Sequence, residues 1–334
     1  MQAVFIQQTG GPTEIQLGEL AMPYVASHDV LIKVKAVAVN HVDTFIRGGS
    51  FKTQLTFPFI IGRDAVGTVI ETGSAVDQFK KGDLVWTNSM GYAGRQGVTS
   101  EYAAVPVARV YKVPTAVDPL KLVAAVHSAA TATILLADVL QARTGATILV
   151  EGAAGHVGRK LVQLAHDMGL TVITTSSQCD FASLTELGSA APYDYHEDFA
   201  AELAAKYPQG IDHIIDTSGQ VALQTNLDLL AQHGTVALIT APAADQFSFQ
   251  VRDFYTTDKN IRGFVISHAT LSQLQHAAQT LNHEFSQGRL LEDKLAVNAF
   301  AYAATAHQLL ATTSMKEKIV LVPTADEIDP DFMV

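Results

Sequence analysis

The stretch ILVEGAAGHVGRKLVQLA, residues 148–165, constrains the fold more than any other part of the chain. A short apolar, β-favouring run, ATILV (146–150), enters a glycine-containing turn. The turn leads into a segment whose Val157, Leu161, Leu164, Ala165 and Met168 share one helical face. Gly158 falls where the strand and helix must approach closely, and Gly155 where the backbone must let a phosphate near the helix N-terminus. Alanine occupies the first position of the G-x-G-x-x-G fingerprint, and Ala153 supplies that tight turn if its φ stays negative. The candidate dinucleotide loop is therefore Ala153, Ala154, Gly155, His156, Val157 and Gly158. Arg159 and Lys160 follow in the first helical turn, where cations oppose the macrodipole. A bound pyrophosphate would relieve that conflict; the alternative is that both side chains point to solvent.

This unit sits in a longer alternation. A β-rich first part contains LIKVKAVAV (31–39), AVGTVIETG (65–73), KKGDLVW (80–86) and the proline-punctuated EYAAVPVARVYKVP (101–114). Short strands with turn signals between them suggest a small barrel or curled sheet. From about residue 120 the pattern changes. A helix is expected over 120–140, then strand ATILV, a helix from Gly158 to Met168, strand TVITTS (171–176) and a short helix over 181–188. Strand HIIDTSG (213–219), a helix over 221–234 with a glycine stop and strand TVALIT (235–240) continue the alternation. That is the pattern of a doubly wound parallel sheet. A helix over 271–288, the segment KLAVNAF (294–300), a second helix around AYAATAHQLL and a final strand KIVLVP (318–323) follow, and Asp326 to Asp331 read as a solvated acidic tail.

Composition removes several function classes. The chain has 334 residues, 48% of them apolar, which suits two packed domains. Acidic residues outnumber basic ones 33 to 22, and no basic stripe reverses the net charge of −11, so nucleic acid is not the expected partner. No run is read as approaching the roughly 18 apolar residues that span a bilayer. MQAVFIQQTG lacks the layout of a secretory signal, which makes the cytoplasm the expected compartment. A single cysteine, Cys179, forbids an internal disulfide and any site built from several thiolates. The second strand of the alternation ends in Thr174, Thr175, Ser176 and Ser177, where an NAD site usually carries an acid for the ribose 2′-hydroxyl. Hydroxyls at Thr175, Ser176 and Ser177 leave room for a 2′-phosphate, which favours NADP(H); the bland alternative is an ordinary polar strand end.

The chain resembles the medium-chain dehydrogenase/reductase superfamily, and within it the zinc-free quinone oxidoreductase (zeta-crystallin-like) branch. The resemblance is carried in order by NHVDTFIRGG (40–49), FPFIIGRDAVGTVIETG (57–73), KKGDLVW, TSEYAAVP (99–106), SAATATILL (128–136), GAAGHVG (152–158), IDHIIDTSG (211–219) and EKIVLVP (317–323). It implies an α/β chain in which a GroES-like β-rich barrel domain (1–121) is completed by the C-terminal segment (266–334). A Rossmann NADP-binding domain (122–265) stands between them, with the active site in the cleft. It implies a homodimer as well. Zinc-dependent relatives have a cysteine where this chain has Asn40, and Gly-His-Glu where it reads Gly62-Arg63-Asp64. His41 and Asp43 raise the thought of a replacement site, but metal-ligand spacing is missing, so no zinc is expected.

The resemblance also assigns residues. Asn40 and Asp43 match the branch's N-x-x-D pattern, Asn40 as a donor to a substrate oxygen and Asp43 as an orienting or structural acid. Thr131 matches the threonine near the nicotinamide, or bonds back to its own helix. Tyr195 matches a tyrosine near the adenosine phosphate, or is simply an exposed aromatic. Ser218 and Gly219 end a strand at the cofactor edge. Arg63 departs from the branch; it either braces the barrel by pairing with Asp64 or polarises a substrate carbonyl. His127 also departs, facing the cleft or packing elsewhere, and His156 reads as a solvated loop side chain. Without a Lewis acid to hold an alkoxide, the reaction that fits is hydride transfer from NADPH to a quinone or α,β-unsaturated carbonyl, which spreads charge by conjugation. The rivals are a dinucleotide-binding protein with little turnover, as crystallin relatives allow, and a metal-dependent alcohol dehydrogenase.

Overall fold

Alternation in LIKVKAVAV produces the strand Asp29–Ala38, in which Val30, Ile32 and Val34 are buried while Lys33 and Lys35 face outward. The structure, a computed structural model, describes residues 1–312 and 315–324. The expected acidic tail, Asp326 to Asp331, lies outside the described residues. The backbone divides into two units, one of Met1–His127 with Leu274–Val334 and one of Ser128–Gln273.

In the first unit, Asp29–Ala38 sits inside a curled sheet ordered Leu295–Ala299, Lys318–Val322, Asp29–Ala38, Asp64–Thr72, Leu84–Thr87 and Val110–Lys112. Tyr102–Pro106 pairs with Asp29–Ala38 as well, and a three-stranded sheet of Gln16–Glu19, Gln2–Ile6 and Phe59–Ile60 completes the β structure. The two C-terminal strands therefore lie in the same sheet as the N-terminal ones. The strands Asp29–Ala38 and Asp64–Thr72 shift register between Val34 and Ala36, where Gly67 lets the backbones close: a Cβ there would stand 2.4 Å from the Lys33 carbonyl oxygen.

The second unit is a six-stranded parallel sheet ordered Ala191–Asp194, Thr171–Ser176, Thr147–Glu151, Ile211–Asp216, Leu230–Leu238 and Asn260–Gly263. Numbered within the unit, that order is 3-2-1-4-5-6, the doubly wound dinucleotide-binding topology. Ile148, Leu149 and Val150 are fully buried in its centre, as strands covered on both faces require.

Some expectations need correction. The helix expected over 221–234 spans only Leu223–Leu229; its C-cap, Leu230, turns to extended backbone and begins the strand Leu230–Leu238. Pairing of Leu230 with Ile211 overrides the helical periodicity of that stretch. A strand, Ala191–Asp194, and a helix, Phe199–Lys206, were not expected at all. A helical stretch long and apolar enough to cross a membrane does exist, over Pro119–Val139, with 72% of its apolar window buried. Packing inside the protein accounts for its apolar content.

The sheet centre also holds an unanticipated acid. Glu151, at the end of its strand, is directly opposite Asp216 and fully buried. Its Oε2 accepts from Asn226 Nδ2 at 2.8 Å, while Oε1 has no hydrogen-bond partner. Burial, followed by the charge of Asp216, raises its pKa to about 8 against the smaller opposing effect of the Asn226 hydrogen bond. The folded state therefore keeps a proton that the unfolded chain gives up above its ordinary value of 4.5, and stability falls as pH rises from 4.5 to 8. Glu151→Gln is expected to match the wild type near pH 5 and to exceed it at pH 9, by on the order of 4 kcal/mol. Melting curves across that range check this; parallel curves for the two proteins would contradict it.

Candidate active site

In the second unit, loops leave the C-terminal ends of neighbouring parallel strands and meet. Gly152 carries the positive φ of the turn, +68°, and a Cβ there would stand 2.6 Å from Thr217 Oγ1. The turn's special residue is thus one position earlier than the fingerprint suggests. Ala153 is buried in an ordinary backbone conformation, its N–H donating to the Thr175 carbonyl at 3.1 Å. Gly155 is the N-cap of the helix His156–Asp167 and no side chain caps it. A helix N-terminus without a side-chain cap suits an anion. Gly158 is the close-packing position, because a Cβ would meet Ala153 Cα at 2.6 Å. Ala154, His156 and Val157 complete the loop, half-buried. These features fit a dinucleotide pyrophosphate. Lys160 does not point to solvent; it is fully buried, while Arg159 reaches Ser183 Oγ at 3.2 Å.

On one side of this loop, Thr175 and Ser176 are buried at the end of Thr171–Ser176, and Ser177 Oγ lies 2.8 Å from Tyr195 OH. The structure thus joins two of the expected cofactor residues, from separate segments, into one hydroxyl pair. The strand-end acid beside them, Asp194, is turned onto His196, accepting its backbone N–H at 2.9 Å and facing its Nδ1 at 2.7 Å. On the other side, Ser218 N and Oγ and Gly219 N all donate to Asp216 Oδ1 at 2.8 Å. Asp216 thereby shapes the loop that carries both residues. Thr131 is buried on the helix Pro119–Ile134.

In the first unit the centre is Asp64, with no exposed surface. It accepts from Asn40 Nδ2 at 2.7 Å, Ser89 N at 3.1 Å and His127 Nδ1 at 3.0 Å. Burial alone would raise its pKa, yet His127, Arg63 and the Ser89 N–H together hold it below the ordinary carboxylate value. Burial lowers the pKa of His127, against the opposing effect of Asp64, which its Nδ1 faces. Ser89 accepts a φ of +58° to make its contact. Asn40 is engaged at both ends of its amide, since Lys318 Nζ donates to its Oδ1 at 2.6 Å. Asp43, on the first turn of the helix His41–Gly48, accepts from Asn40 N at 2.8 Å through Oδ2, while Oδ1 has no hydrogen-bond partner. Burial and then the neighbouring Asp64 raise its pKa to about 7, against Arg63, the Asn40 N–H and Lys318. Two buried carboxyls thus stand side by side with their pKa values pushed apart.

The expected bracing pair between Arg63 and Asp64 does not form. None of the three Arg63 nitrogens has a hydrogen-bond partner, although the residue is 1% exposed; its guanidinium stands 5.7 Å from the Tyr92 ring centroid. Asp64 has been taken by Asn40, Ser89 and His127. Sequence reasoning left the role of His127 open and did not single out Lys318. The signal for Lys318 was there: a lysine opening the apolar run KIVLV, which becomes a fully buried strand. A surface groove of 580 Å³ in this unit is lined by Tyr24, Phe57, Met90, Arg95 and Tyr102 among others, and holds none of Asn40, Asp43 or Arg63.

Comparison with known proteins agrees with this layout. Residues 26–115 match the alcohol dehydrogenase GroES-like domain and residues 157–282 match the zinc-binding dehydrogenase family. A quinone oxidoreductase of Lama guanicoe is 32% identical over 288 residues, covering 84% of each chain. The structure of a Pseudomonas syringae quinone oxidoreductase superposes with a TM-score of 0.85 at 25% identity, over 96% of this chain and 99% of that one. A mycobacterial protein solved with NADPH gives a TM-score of 0.81 at 28% identity, over 97% of this chain and all of that one. The chain is therefore an oxidoreductase that belongs to the medium-chain dehydrogenase/reductase superfamily, in its quinone oxidoreductase branch.

Proposed function

We propose that the protein uses NADPH to reduce a quinone or an α,β-unsaturated carbonyl without zinc. The observation that carries this reading is the pairing, in one chain, of an uncapped glycine-loop helix with a metal-ligand position remade as Asn40, Arg63 and Asp64. Asn40 cannot serve as a soft ligand, and its amide is spent on Asp64 and Lys318. Arginine in place of histidine puts a fixed cation where a metal would have stood.

The glycine loop would hold the dinucleotide, which would supply a hydride, and the substrate would take up that hydride together with one proton. The residues of the chain do the rest. Gly155 and the first turn of its helix hold the pyrophosphate, and Ser177 and Tyr195 offer hydroxyls to a ribose 2′-phosphate. The mycobacterial relative solved with NADPH supports that preference. Thr131 takes the place beside the nicotinamide that the family likeness gives it. Arg63 stabilises the negative charge that develops on the carbonyl oxygen. Asp43 is the proton source: its free Oδ1 and a pKa near 7 suit a general acid at neutral pH. Asn40 and His127 position Asp64, which keeps the network in register. A cytoplasmic homodimer acting on a small molecule, with no membrane or nucleic-acid partner, completes the reading.

Steady-state NADPH oxidation with 1,2-naphthoquinone, 1,4-benzoquinone and 4-phenyl-3-buten-2-one is expected to show turnover, with NADPH bound at least tenfold more tightly than NADH. Tight NADPH binding with no turnover of any member would favour the crystallin-like alternative, and equal or tighter NADH binding would sink the 2′-phosphate argument. Stoichiometric zinc by elemental analysis would support the alcohol dehydrogenase instead. For Asp43, turnover is expected to fall as pH rises through 7, as the acid loses its proton. Asp43→Asn should lower kcat about tenfold or more and remove that limb while leaving NADPH affinity intact. A pH profile unchanged in the variant would remove Asp43 from the reaction.

A further inference from the structure

We propose that the substrate carries an oxyanion group, a carboxylate or phosphate, held by Arg63, Arg95 and Arg109 with Asn88 and Ser89. This deepens the reductase reading and rests on it. The register brings these residues together. Thr87 pairs with Ala65 on one side and Val110 on the other. Arg63, Asn88, Ser89 and Arg109 therefore leave the same end of three adjacent strands, and Arg95 returns to that end through its Nη2 contact to the Ser89 carbonyl at 3.4 Å.

The cluster is rich in donors and poor in acceptors. Every Arg63 nitrogen, Arg95 Nε, Arg109 Nη1, Ser89 Oγ and Asn88 Nδ2 are buried without a hydrogen-bond partner, against one carboxamide acceptor in the same state, Asn88 Oδ1. Asn88 is fully buried and Ser89 is 2% exposed. The arginines are close enough for each to feel another's charge: Arg95 is opposed by Arg109 and Arg63, and Arg109 by Arg63, in each case after the effect of burial. Around Arg63 the acids are Asp64, whose oxygens are already taken, and Asp43, which is only partly ionised at pH 7. His127 and Lys318 add no negative charge. One developing enolate charge needs a single cationic donor, and three arginines exceed that need. Unpaired buried guanidinium groups are costly, and a fork of N–H donors is the partner that carboxylate and phosphate oxygens fit. Arg95 and Arg109 are half-buried, which gives the cluster a side toward solvent. All this stands in a protein whose net charge is −11, so the local excess of cations is not an overall bias.

The test compares 4-phenyl-3-buten-2-one with its para-carboxylate. Arg95→Gln and Arg109→Gln should each lower the ratio of kcat/KM for the carboxylate to that for the neutral enone at least tenfold, through KM, with NADPH affinity changed less than twofold. If both enones shift together, or if NADPH binding weakens instead, so that the anion is the cofactor's own phosphate, the proposal is overturned. A second arm needs no turnover: calorimetric titration of the NADP⁺-loaded protein with the carboxylate probe, repeated on the variants. Binding that Arg95→Gln weakens tenfold, without turnover of either enone, would keep the anion site and reject the reductase reading; turnover of both with no binding preference would do the reverse. Arg63→Met should raise the melting temperature of the free protein and weaken the probe. A lower melting temperature with unchanged probe binding would make Arg63 structural and overturn its part.

Discussion

A carboxylate with no exposed surface has to be surrounded by donors, and Asp64 organises the first unit through that requirement. Its three hydrogen bonds come from the cap of the helix His41–Gly48, from the loop after Leu84–Thr87 and from the helix Pro119–Ile134. Two partners are committed in turn, Asn40 to Lys318 and Ser89 to a left-handed backbone. Two consequences follow for the neighbours. Asp43, buried and then opposed by the charge of Asp64, has its pKa raised to about 7. Arg63, with its expected partner occupied, keeps its guanidinium for something else. The proton held by Asp43 and the unpartnered guanidinium of Arg63 both stand beside one satisfied buried acid.

The second unit solves a different problem, that of presenting backbone N–H groups to a phosphate without a side chain in the way. Gly152, Gly155 and Gly158 divide the work between a left-handed turn, an uncapped helix start and a close backbone approach. Asp216 holds the neighbouring loop by accepting from Ser218 and Gly219, and Glu151 opposite it has its pKa raised to about 8 by burial first and by the charge of Asp216 second.

How much of this was legible depended on whether the signal was local. The glycine loop, the strand Asp29–Ala38 and the βα alternation were readable because periodicity and turn chemistry act within a few residues. The segments that carry Asn40, Gly62, Arg63 and Asp64 were recognisable too, because the residues of each are contiguous in sequence. What failed was tertiary. The helix expected over 221–234 gave way to a strand because Ile211, far back in the chain, pairs with Leu230. The Arg63–Asp64 pair, adjacent in sequence, was displaced by His127 and Asn40, whose arrival no spacing rule announces. Ala153 looked like the damaged residue of the fingerprint; the demanding conformation falls instead on Gly152, which the six-position pattern does not include. Lys160, read as a cation for solvent or pyrophosphate, turned inward.

Hydride delivery to a conjugated carbonyl without a metal is open to an isotope-transfer experiment. Protein dialysed against a chelator would be given NADPH carrying deuterium at nicotinamide C4 together with 4-phenyl-3-buten-2-one, and the product examined by NMR. The account predicts deuterium on the β-carbon of the saturated ketone, at a rate that added zinc does not change. Deuterium on the carbinol carbon of an alcohol, or transfer that appears only when zinc is restored, would contradict it.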